Sequence, residues 1–266
     1  MSEMVVGALR DGPARAAQRW ALSRAARTGD TVVLVHAWSA AISLDLFLDP
    51  ETVAAMVVDA DLPRLLTLPY LPTVRVVGHP GAPATVLLER SLDAGLLVLG
   101  SGLHRAGDRR ASLAAQARTV GAVPVVVVPE TSAVAVPSRV IVGVDLSAGA
   151  AVALRWAATE ALACSAQLLV TLAWQHDADR ARLDSWVEEV LGDCVRPRIR
   201  ISTLHGGPLD ALRSGAASAD LVVLGSHGHR RAPRWLTGST SGQLTQLCDC
   251  PIVVVPPPVL RLGHDG

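Results

Sequence analysis

The stretch VVGALRDGPARAAQRWALSRAARTGDTVVLVHAW, residues 5–38, decides the fold, because the chain carries it twice. It aligns without a gap to IVGVDLSAGAAVALRWAATEALACSAQLLVTLAW, residues 141–174, at a constant offset of 136. Arg19-Trp20 falls on Arg155-Trp156, and Ala37-Trp38 falls on Ala173-Trp174. Each copy runs from an apolar stretch through an alanine-rich segment to a second apolar stretch. The apolar stretches predict buried strands and the alanine-rich segment a helix. A strand–helix–strand unit of this size is a parallel crossover.

The repeat continues outward. Gly81-Ala82-Pro83 matches Gly206-Gly207-Pro208, and AGLLVLGS (94–101) matches ADLVVLGS (219–226), both at offset 125. VPVVVVP (123–129) matches CPIVVVP (250–256) at offset 127. Offsets that hold within segments and change only in loops mark duplicated domains. The expected domains are 1–129 and 138–266, with residues 129–138 as a linker between Pro129 and Pro137. In the second domain strands are expected near 139–145, 167–174, 197–204, 220–225 and 251–256, and helices near 148–164, 178–192, 207–217 and 239–249. Alternating strands and helices predict an α/β fold, with a parallel sheet covered on both faces.

Composition narrows the function. The 266 residues are 50% apolar, and 24 acidic residues balance 24 basic ones, so neither nucleic acid nor a membrane is the expected partner. No apolar run reaches spanning length and no signal-like core follows Met1, so a cytoplasmic chain is expected. Every basic residue is Arg. A Walker-type lysine, a Schiff-base lysine and a lysine on a transferring phosphoryl group are therefore excluded. Cys164, Cys194, Cys248 and Cys250 have no zinc spacing. Cys248 and Cys250 read as small buried residues where a helix gives way to a strand. No nucleophile elbow, triad order or H-E-x-x-H is present.

The chemistry lies in GSHGHRRAPRWLTGS, residues 225–239. A buried strand leads into Gly225, and a helix-like segment follows from Ser239. A glycine-permissive loop between a strand's carboxyl end and a helix amino terminus lets backbone N–H groups and the helix dipole face a phosphate. Arg230, Arg231 and Arg234, with His227 and His229, add charge to this loop. Its frame resembles the G-x2-G-x9-G-S/T signature of the universal stress protein family, and the repeat extends the resemblance over nearly the whole chain.

The resemblance implies two tandem, doubly wound, Rossmann-like domains of five parallel strands in order 3-2-1-4-5, with nucleotide above the switch between strands 1 and 4. It implies phosphate binding by Gly225, Gly228, Gly238, Ser239, Thr240 and Ser241, a base or ribose contact from Asp145, and backbone contact with adenine at Ala173. A helix-capping role is the alternative for Asp145. The implied cofactor is ATP with Mg²⁺. In the first domain Leu9 stands for Asp145, Leu103 for Gly228, Ala111 for Gly238 and Ala114 for Ser241, so that site is degenerate. The strands 124–128 and 251–255 would leave apolar edges unpaired, and are expected to pair antiparallel as an intramolecular pseudo-dimer. A homodimer is a further option.

The expected function is a non-catalytic, ATP-binding stress-response regulator or sensor acting through a protein partner, with at most weak ATPase activity. The alternative is an ATP-using enzyme of the related adenine-nucleotide hydrolase-like fold. Those enzymes carry S-G-G-x-[DS] near their first strand, where this chain has DLSAGA (145–150).

Overall fold

Strands form where the apolar runs lie. LLVLG (Leu96–Gly100) is buried along its whole length, and VVVV (Val125–Val128) likewise. Such residues have no solvent face to offer and belong in the interior of a covered sheet. The computed structural model describes residues 2–8, 13–38, 52, 70–101, 123–132, 136–174, 177–205, 219–225 and 249–257. Its ten strands are β1 (Glu3–Gly7), β2 (Thr31–Trp38), β3 (Thr73–Pro80), β4 (Leu96–Gly100), β5 (Val125–Val128), β6 (Arg139–Val144), β7 (Gln167–Trp174), β8 (Arg198–His205), β9 (Leu221–Gly225) and β10 (Ile252–Val255). The helices are α1 (Pro13–Thr28), α2 (Pro83–Ser91), α3 (Ala148–Ala163) and α4 (Asp177–Leu191). Segments 207–217 and 239–249, expected as helices, lie outside the described residues apart from Asp249.

All ten strands form one sheet in the order β3-β2-β1-β4-β5-β10-β9-β6-β7-β8. Each half therefore has the order 3-2-1-4-5, and the halves meet at their last strands. Within each half every pairing is parallel. At the seam β5 and β10 run antiparallel, with Ile252 opposite Val127 and Val254 opposite Val125. The short apolar strands thus cover each other's edges, as their composition demands.

The seam also joins the interiors. One hydrophobic core contains Met4, Val126 and Val128 from the first half with Val140, Val253 and Val255 from the second, beneath α1 and α3. A second cluster, including Val5, Val33, Leu97 and Val125, packs under α2 on the opposite face of the first half. Alternation along β5 divides Val126 and Val128 from Val125, as the pleat requires.

The two copies satisfy equivalent positions differently. Ser2 and Ser138 lie at the same repeat position, one just before each first strand. The backbone N–H and hydroxyl of Ser2 donate to Asp30, at 2.9 and 3.0 Å. Those of Ser138 donate to Asp220, at 2.8 and 2.6 Å. Asp220 stands where the first half has Gly95, and a β-carbon there would press on the Ser2 side chain at 2.9 Å. The carboxylate in each half comes from the side that leaves room for it.

Candidate functional site

In the second half the chain leaves β6 toward β7 on one side, while β9 flanks β6 on the other. Strand ends at such a switch point diverge and leave a crevice. Val144 pairs with Leu172, and Gly143 with Leu224. Asp145, Ala173 and Gly225 therefore lie at neighbouring carboxyl ends of three adjacent strands. The structure brings together these three of the residues singled out in the sequence. Gly228, Gly238, Ser239, Thr240 and Ser241 lie outside the described residues, as do the basic and histidine side chains of the loop.

Asp145 is exposed at the rim. Its Oδ1 accepts the Ser147 backbone N–H at 3.1 Å, which tightens the turn from β6 into α3. Between them Leu146 has φ of 60°, a left-handed conformation that a leucine adopts only when its surroundings impose it. The helix cap is Ser147, whose hydroxyl accepts the Ala150 N–H at 3.1 Å. The capping alternative for Asp145 therefore fails in its simple form: the carboxylate positions the cap rather than serving as it. Leu146 carries no sign in the sequence of its conformation, and only the fixed ends of the turn reveal it.

Gly225 has a packing reason of its own. A β-carbon there would lie 2.8 Å from the Gly149 carbonyl oxygen and 3.0 Å from its carbon. The end of β9 thus runs directly against the first turn of α3. Close approach at this point holds the amino terminus of α3 beside the end of β9.

The equivalent place in the first half has a different lining. Gly7, Ala8, Ala37, Pro83, Leu87 and Gly100 are among the residues around a cavity of about 30 Å³, the room of a single water. No ionisable side chain is among its described lining residues. Beside it, buried Gln18 donates to the Gly7 carbonyl at 3.0 Å. Leu9, the counterpart of Asp145, lies outside the described residues.

The sequence pattern of the universal stress protein family matches residues 195–256, which hold β8, β9, β10 and the glycine loop. Two curated proteins of Mycobacterium tuberculosis, universal stress protein Rv2623 of strain H37Rv and universal stress protein MT2698 of strain CDC 1551, are each 28% identical over 138 residues. The alignment spans 44% of this chain and 46% of each of those relatives, about half their length. Among solved structures, a universal stress protein from Archaeoglobus fulgidus superposes with a TM-score of 0.69, at 17% identity, over 97% of both chains. The cytoplasmic domain of a prokaryotic cation chloride cotransporter superposes with a TM-score of 0.58, at 9% identity, over 95% of this chain and 94% of that one. At these identities the superpositions establish the shared architecture alone. No helix among the described residues is long and apolar enough to cross a membrane.

Proposed function

We propose that the chain is a universal stress protein that binds ATP in its second half and works as a regulator or sensor in the stress response. The observation that carries the reading is the convergence of Asp145, Ala173 and Gly225 at the switch point of the second half. In the second half a carboxylate, a left-handed turn and a helix amino terminus meet at three strand ends. In the first half the sequence has Leu9 at the position of Asp145 and Ala111 at that of Gly238.

In this reading residues 1–129 and 138–266 are separate domains, and only the second holds nucleotide. Asp145 accepts hydrogen bonds from the base or ribose, and the backbone at Ala173 borders adenine. The phosphates rest on Gly225, Gly228, Gly238, Ser239, Thr240 and Ser241, with Mg²⁺ on the triphosphate. Nucleotide occupancy then biases contact with a protein partner in the cytoplasm. The protein is not a catalyst in this scheme: lysine is absent from the chain, and no base is assigned to activate water.

Denaturing the purified protein and quantifying the released nucleotide tests the reading. We expect adenine nucleotide near one equivalent per chain, unchanged over hours of incubation. A protein that releases none, and binds none when ATP is added, would overturn it. Steady conversion of added ATP to product would favour the alternative of an ATP-using enzyme.

A further inference from the structure

Arg24 on α1 and Glu160 on α3 occupy the same position of the repeat, 136 residues apart. They also touch: Arg24 Nε donates to Glu160 Oε2 at 2.8 Å. A position that meets its own counterpart lies on the axis relating the two halves, where identical copies would set like against like. The Glu160 side chain is 1% exposed and that of Arg24 12%, so the pair is withdrawn from water. Trp156 supports it, with the Arg24 guanidinium 6.0 Å from its ring centre.

We propose that this pair is a recognition element: it fits the α1 face of the first half to the α3 face of the second and rejects pairing of either half with its own kind. Two second halves would bring Glu160 against Glu160. The second half has Ala163 where the first has Arg27, and the α3 arginine, Arg155, is engaged with the Val190 carbonyl at 3.0 Å. Two first halves would bring Arg24 against Arg24, each keeping its local ion pair with Asp30, at 2.8 Å. Buried like charges are costly, and a repulsive element of this kind sets specificity alongside the attractive contact. The apolar position one turn earlier needs no such divergence: Trp20 and Trp156 are identical in the two copies. The partner of each half is thus the opposite half of the same sequence, and the β5–β10 seam joins unlike units.

The test uses the full chain with Asp30→Asn throughout, since Asp30 would otherwise repel a glutamate at position 24. Arg24→Glu and Glu160→Arg, singly and together, give a double-mutant cycle read by thermal unfolding. Each single change is expected to lower the midpoint by roughly 10 °C, and the combination to recover at least about half of the summed loss. In a second arm the two single variants are refolded as an equimolar mixture and weighed by native mass spectrometry. Each chain then offers the charge the other lacks, so mixed dimers should exceed the share expected from random pairing. Absence of recovery in the combined variant would overturn the proposal. So would mixed dimers at or below the random share. The mixing arm reads out even where neither single variant folds alone.

Discussion

At the carboxyl end of β9, a β-carbon on Gly225 would lie 2.8 Å from the carbonyl oxygen of Gly149, and a backbone atom cannot turn aside as a side chain can. Gly225→Ala should therefore push the strand end away from α3. We expect it to cost about 1–3 kcal/mol, seen as a lower urea midpoint at unchanged slope. An unchanged midpoint would mean that the strand end has room to spare. Cys164 gives a second test at this scale. Burial, and then the charge of Glu160, push its thiol up to about 11, so little thiolate is present near pH 8. Cys194 is exposed. Alkylation of the folded protein at pH 8, followed by peptide mass spectrometry, should label Cys164 at least about tenfold more slowly than Cys194. Equal rates would show that the last turn of α3 opens readily.

The helices end at one repeat position with different residues. After α1 the chain turns through Gly29 at φ of 72°, and after α3 through Ser165 at φ of 55°. Glycine adopts this conformation without penalty, whereas a β-carbon is crowded there. Ser165→Gly should accordingly raise stability by about 1 kcal/mol, measured as a higher urea midpoint, despite the greater freedom it gives the unfolded chain. A fall in the midpoint would mean that the serine is held there by more than backbone geometry. The elements themselves were legible in the sequence. Strands expected at 139–145 and 220–225 are found at Arg139–Val144 and Leu221–Gly225, because an apolar run buried on both faces has one reading. Ser165 and Leu146 were not legible, since nothing in their side chains announces a left-handed backbone. That conformation is imposed by the elements on either side.

At the scale of the molecule, duplication explains both the legible part of the site and its asymmetry. The repeat made the ten-stranded order readable, and the apolar strands bounded by prolines made the β5–β10 seam readable. The Arg24–Glu160 contact was not, because two residues at equivalent positions meet only once the axis between the halves is known. The same asymmetry predicts stoichiometry. The second half carries Asp145, Gly228, Gly238 and Ser241 where the first carries Leu9, Leu103, Ala111 and Ala114. Calorimetric titration with ATP should therefore give one site per chain, and two equivalent sites would overturn the assignment. In the proposed site Asp145→Ala removes a charged acceptor for base or ribose. It should weaken ATP and adenosine binding by roughly 10–100-fold while leaving inorganic triphosphate less affected. Ser239→Ala and Ser241→Ala should show the opposite preference if, as proposed, the hydroxyls at those positions serve phosphate oxygens. Equal loss of all three ligands in every variant would mean that the crevice collapses as a unit, with no division of labour between its base side and its phosphate side.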